Sequence, residues 1–140
     1  MNSVIIGIGI DLIEIQRIQS AYDRYRSRFL NRIFTPTEQS YCLSKKYPHP
    51  SLAGRFAAKE AIIKAFSYGF GGRWKWTQIE VIRDLHGKPD IQLAGIFETL
   101  RLQREIAKIH LSIAHSKHSA TAMVILETNY GEINSVQGRS

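Results

Sequence analysis

Cysteine is nearly missing from this chain: among 140 residues only Cys42 carries a thiol, which rules out an internal disulfide and a cysteine-based zinc cluster. Such usage fits a reducing compartment. Long apolar runs are missing too, since no stretch approaches the roughly 18 apolar residues of a membrane-spanning helix. The amino-terminal run Val4 to Ile10 has neither a basic region before it nor a small-residue cleavage site, and Gly7 and Gly9 interrupt it, so it does not read as a signal peptide. A cytoplasmic protein is expected. Acid is scarce: 12 Asp and Glu stand against 19 Lys and Arg, a net charge of +7, with an isoelectric point near 9.8. That imbalance points to an anionic partner, whether nucleic acid, anionic lipid, phosphorylated cofactor or acidic protein. Repeats and low-complexity tracts are absent, and 44% hydrophobic with 22% charged residues excludes wholesale disorder. The length suits one domain with a real core.

Val4 to Ile10 reads as a short buried strand whose glycines admit close approach of another backbone or a ligand. Asp11 is expected to end it, and helical spacing from Leu12 leads into a basic helix carrying Arg17, Arg24, Arg26 and Arg28 toward Phe29. Thr35-Pro36-Thr37-Glu38 has the capping-box pattern of a helix start. Ser44 to Ser51, with Lys45, Lys46, Pro48 and Pro50, reads as a basic loop before a helix that ends near Gly69. Trp76 to Arg83 and Asp90 to Leu93 form an expected hairpin, Ile96 to Ala107 an amphipathic helix, and Ile109 to His115 with Ala120 to Leu126 a terminal hairpin. This order predicts a single α+β domain over residues 1–127, followed by a polar tail, 128–140, expected to be disordered.

Charge inside an apolar helix is the most informative pattern. In Gly54-Arg55-Phe56-Ala57-Ala58-Lys59-Glu60-Ala61-Ile62-Ile63-Lys64-Ala65 the large apolar residues share one face with Leu52 and Phe66, and the alanines leave the other side free for close packing. Charges withdrawn from water must be paired, metal-bound or neutralised. The plain reading of Glu60 and Lys64 is an i,i+4 salt bridge. Asp11 reads as a helix N-cap through Asp11-x-x-Glu14. It reads also as a carboxylate at a strand end that joins Glu60 around Mg²⁺, an ion that takes one or two protein carboxylates and completes its octahedron with water and phosphate oxygens. Strand alternation sets His115 with Ile109, Leu111 and Ile113, which predicts a buried, hydrogen-bonded histidine, with phosphate binding as the alternative. Ser112, His115 and Ser116 come without a Gly-x-Ser-x-Gly elbow, and Gly69-Phe70-Gly71-Gly72 lacks the Lys-Ser or Lys-Thr of a P-loop. Trp74 and Trp76 read as core and hairpin residues.

Five blocks occur in a telling order: Gly9-Ile10-Asp11-Leu12-Ile13-Glu14-Ile15, Phe34-Thr35-Pro36-Thr37-Glu38, the Gly54 to Ala65 helix, Gly87-Lys88-Pro89, and His110-Leu111-Ser112-Ile113-Ala114-His115. Together, over about residues 4 to 127, they resemble the holo-acyl-carrier-protein synthase family. The resemblance implies the 4′-phosphopantetheinyl transferase fold, a homotrimer with active sites between subunits, and transfer of phosphopantetheine from coenzyme A to a serine of apo acyl carrier protein. It implies Mg²⁺ on Asp11 and Glu60, with Glu60 and Lys64 catalytic and Lys64 beside the pyrophosphate. Lys46, Arg55 and His115 would contact coenzyme A phosphates, His115 from the adjacent subunit, and Gly87, Lys88 and Pro89 would border the nucleotide. Arg17, Arg24 and Arg28 would face the acidic carrier. Two positions depart from the family pattern: Gln78 stands where Asp is frequent, and Ala114 where Ser or Thr is usual before the last histidine. A small basic nucleic-acid-binding module is the alternative, motivated by the charge and the arginines from Arg17 to Arg32.

Overall fold

The computed structural model describes residues 3–129. Alternating isoleucine and glycine give the first strand two unlike faces. Gly9 and Ile13 turn inward, whereas Ile8, Ile10 and Leu12 are 64%, 61% and 71% exposed. This strand, β1 (Ser3–Glu14), is therefore not buried on both faces, and it does not stop at Asp11, because its ladder continues from Asp11 opposite Ala122 to Glu14 opposite Ser119. Asp11 is accordingly no N-cap; Glu14 holds that position, without a side-chain cap, before α1 (Ile15–Tyr25). The basic segment is two helices, broken at Arg26 with φ of 49°, and α2 (Ser27–Ile33) follows the break.

The expected capping box opens α3 (Pro36–Leu43): Glu38 N donates to Thr35 Oγ1, and Thr35 N donates to Glu38 Oε1. The next helix, α4 (Pro48–Phe66), takes in Pro48 to Ser51, read above as loop, because proline near a helix start has no N–H to lose. A 3₁₀ turn at Trp76–Gln78 stands where strand was expected, and β2 (Ile79–Arg83) pairs antiparallel with β3 (Pro89–Leu93). The helix α5 (Gly95–Gln103) is shorter than its amphipathic pattern, since β4 (Ile106–His115) already begins at Ile106. The last strand, β5 (Ser119–Asn129), includes Thr128 and Asn129 from the expected tail; residues 130–140 lie outside the described residues.

Strands β1, β5 and β4 form an antiparallel sheet in that order, and α4 lies across its inner face. A Cβ added at Gly7 or Gly9 would overlap the carbonyl oxygens of Ala65 and Ala61, so these glycines let the helix rest directly on the strand backbone. Leu52, Ala57, Ala58, Ala61 and Ile62 are fully buried, which makes α4 the centre of the core rather than a half-solvated helix. Its charged residues therefore need partners. Lys59 Nζ, with no solvent exposure, donates to Glu38 Oε1 at 2.7 Å, to the Ile33 carbonyl at 2.8 Å and to the Ile79 carbonyl at 2.6 Å. Burial pushes the Lys59 pKa down while the Glu38 charge acts against that push. One ammonium thus ties α4 to the end of α2, to α3 and to β2. Among the described residues no helix is long and apolar enough to cross a membrane.

Candidate active site

Because the glycines of β1 bring α4 onto the strand, Glu60 and Lys64, one helical turn apart, come alongside Asp11. Lys64 Nζ donates to Asp11 Oδ1 and to the Ile10 carbonyl, both at 3.0 Å, so its ion pair is with Asp11 and not with Glu60. Thr121 Oγ1 donates to the Asp11 backbone carbonyl at 2.8 Å and anchors that residue from the neighbouring strand. Burial first, and then the charge of Asp11, push the Glu60 pKa up; Lys64 works in the opposite direction. These side chains line a cavity of about 400 Å³ together with Arg17, Phe29 and Phe56.

Among the described residues no group of three or more His, Cys, Asp or Glu gathers as a metal site. Two carboxylates are too few for a closed cage but match a hard cation that keeps water and substrate oxygens in its shell. The mutual repulsion already felt at Glu60 is what such a cation would relieve. The donor set therefore fits Mg²⁺.

A second, cationic neighbourhood surrounds Tyr41. The guanidinium of Arg55, a residue only 6% exposed, lies 4.3 Å from the ring centroid, that of Arg83 4.6 Å and the Lys45 ammonium 4.6 Å. Arg83 Nη1 donates to the Gly87 carbonyl at 3.0 Å, and Asp84 Oδ1 accepts from Lys88 N at 2.9 Å, so the turn that ends at Pro89 joins this cluster. Gly87 itself has φ of 79°, a conformation its missing Cβ allows. Three cations around one aromatic ring create the positive potential a phosphate seeks.

The remaining predicted residues stand apart. Lys46 is exposed beside the Tyr47 ring, 5.5 Å away. His115 is exposed, not buried as alternation suggested, since it closes β4, an edge strand of the sheet. It does not line the acidic cavity. Arg24 lies over the Tyr25 ring at 5.3 Å. Arg28 lines an adjoining cavity of about 520 Å³ with Tyr25, Phe29 and Trp76. Arg17, placed with Arg24 and Arg28 from sequence, instead forms part of the acidic cavity wall. Sequence reasoning missed Tyr41, Arg83, Phe29 and Phe56. Arg83 had a faint signal, a cation closing an alternating strand before a turn; Tyr41 had none.

The family model of the 4′-phosphopantetheinyl transferase superfamily matches residues 7–124, a span that contains both carboxylates, Lys64, the Tyr41 cluster and His115. The chain belongs to this superfamily. The transferase is 45% identical over 120 residues to the holo-[acyl-carrier-protein] synthase of Protochlamydia amoebophila (strain UWE25), covering 86% of this chain and 96% of that relative. A holo-(acyl-carrier-protein) synthase from Bacillus anthracis str. Ames, solved in complex with CoA (3′,5′-ADP), superposes with a TM-score of 0.73 at 39% identity, over 89% of the transferase and 98% of that chain. The Neisseria meningitidis holo-[acyl-carrier-protein] synthase gives 0.79 at 30% identity, over 88% and 98%. The expected α+β fold of the superfamily is thus the fold of this transferase, and the similarities lend no support to a nucleic-acid module.

Proposed function

We propose that this transferase moves the 4′-phosphopantetheine group of coenzyme A onto a serine hydroxyl of apo acyl carrier protein and releases adenosine 3′,5′-bisphosphate, giving holo carrier for fatty acid synthesis. The observation that carries the reading is the convergence of Asp11, Glu60 and Lys64 in one cavity. In the transfer, the serine oxygen forms a bond to the β-phosphorus of the pyrophosphate as the bond from that phosphorus to the bridging oxygen breaks. Such chemistry asks chiefly for positioning and charge stabilisation. Asp11 and Glu60 would hold Mg²⁺, which when bound supplies Lewis-acid stabilisation of phosphate charge. Lys64 stabilises the negative charge that gathers on the leaving bisphosphate. The Glu60 carboxylate faces the same cavity and can accept the serine proton.

Arg55, Lys46 and the Gly87-Lys88-Pro89 turn hold the nucleotide end, with Arg83 and Tyr41 added to that set. His115 completes the site from a neighbouring subunit of a homotrimer. Its separation from the acidic cavity supports this, as does the exposed apolar face of Ile8, Ile10, Leu12 and Met123, which isolated chains seldom leave open to water. Arg28, on the wall of the second cavity, and Arg24, over the Tyr25 ring, receive the acidic carrier, and Arg17 stands between carrier and phosphate. A cytoplasmic setting goes with these substrates and with a lone buried thiol.

The decisive experiment incubates the protein with apo carrier, coenzyme A and Mg²⁺ and follows the intact mass of the carrier. A gain of one phosphopantetheine group, abolished by chelation, is expected. An unmodified carrier would overturn the reading.

A further inference from the structure

Lys64 is held where the proposed metal must bind. Its ammonium is bonded at 3.0 Å to Asp11 Oδ1 and at 3.0 Å to the Ile10 carbonyl, so a resident monovalent cation already neutralises the carboxylate a divalent one would use. The two partners are unequal. The Asp11 side chain is 16% exposed and its backbone is anchored through Thr121, whereas the Lys64 side chain, 53% exposed, is held only by the bonds of its ammonium. Glu60, on the same cavity wall, feels both the Asp11 charge that opposes its ionisation and the Lys64 charge that favours it. The ammonium thus keeps two close carboxylates tolerable in the free protein. A dication on Asp11 would repel an ammonium at that range and loosen its hold on the carboxylate.

We propose that Lys64 is an exchanging counter-ion: it closes Asp11 in the free protein, and metal entry releases it to the pyrophosphate of coenzyme A, so that metal and coenzyme A bind as a coupled pair. The proposal rests on the reading that Asp11 and Glu60 hold the metal. Each ligand removes the obstacle to the other. Metal frees the ammonium for a phosphate, and a phosphate that captures the ammonium frees the carboxylate for metal. Linkage requires the two effects to be equal as binding free energies. Direct contact between metal and phosphate adds its own coupling, so the part that disappears with Lys64 identifies the exchange.

Mn²⁺ serves as the probe, its binding followed by calorimetry and by the loss of the free-ion electron paramagnetic resonance signal, with and without coenzyme A. Lys64→Met, which keeps the apolar stem at a half-exposed position, is expected to bind Mn²⁺ about tenfold tighter than wild type in the absence of coenzyme A, the order expected when one nearby like charge is removed from a partly screened site. Coenzyme A should then tighten Mn²⁺ binding by a smaller factor in Lys64→Met than in wild type. Lys64→Arg should behave as wild type, and Asp11→Asn should lose Mn²⁺. Equal Mn²⁺ affinities in wild type and Lys64→Met, with Asp11→Asn still defective, would overturn the exchange while leaving the metal site standing. A wild-type protein that binds no Mn²⁺ even with coenzyme A would overturn the metal reading and the exchange with it.

Discussion

Lys59 and Glu60 are neighbours in sequence with opposite tasks. Lys59 is sealed in the core against Glu38, 21 residues away in the chain. Removing one partner of a buried pair strands the other, so Lys59→Met should cost about 3–5 kcal/mol in urea unfolding, and Glu38→Gln with Lys59→Met should recover part of that loss. Glu60 carries a charge its surroundings disfavour. The unfolded carboxyl ionises near its ordinary value of 4.5 and the folded one above it. Below that value both states hold the proton; as pH rises through the window up to the folded pKa, the metal-free protein loses stability. Glu60→Gln should flatten that decline, with a Tm at or above that of wild type at neutral pH, while turnover falls by about a hundredfold or more. A lower Tm together with intact turnover would remove Glu60 from the site. The conflict of charge and apolarity from Arg55 to Lys64 was legible in sequence. The partners were not: helical spacing offers Lys64 to Glu60, and only the tertiary contact with β1 shows that it chooses Asp11.

At the scale of elements, the contact of α4 with β1 sets the distance between the two carboxylates. Gly9→Ala should lift the helix off the strand, since its methyl group would meet the Ala61 carbonyl. Overpacking of this kind costs about 1–3 kcal/mol, and transferase activity should fall further than stability alone explains, because Glu60 and Lys64 move together relative to Asp11. Thermal unfolding and initial rates on the same preparation separate the two effects. Most elements were visible as periodicity and capping, the Thr35 box above all. Most misreadings fell at boundaries. Asp11 resembled a helix cap because it precedes a helical pattern, yet an antiparallel partner more than a hundred residues downstream keeps it in the strand. Pro48 and Pro50 read as loop, although proline is at home in a first helical turn.

For the whole molecule, charge and apolar surface make separate predictions. If Arg17, Arg24 and Arg28 draw in an acidic carrier, added salt should raise the KM for carrier more than that for coenzyme A, since exposed attractions are screened over about 8 Å at physiological ionic strength. Arg17 lines the acidic cavity as well, so Arg17→Glu should weaken use of both substrates, whereas Arg24→Glu should affect the carrier alone. Ile10→Lys, in the middle of the exposed sheet face, should dissociate the proposed trimer, measured by light scattering, and lower activity with it. An active monomer would refute the shared site. The position of β1 has a further consequence, one for synthesis of the chain. Its sheet partner is β5, so the strand that bears Asp11 leaves the ribosome long before its partner and has no ladder to join until residues beyond Ser119 follow. At about 5–20 residues per second that wait is on the order of five to twenty seconds. Throughout it, a row of isoleucines stays open to any other unpaired strand, which makes β1 a natural client of a chaperone on the nascent chain.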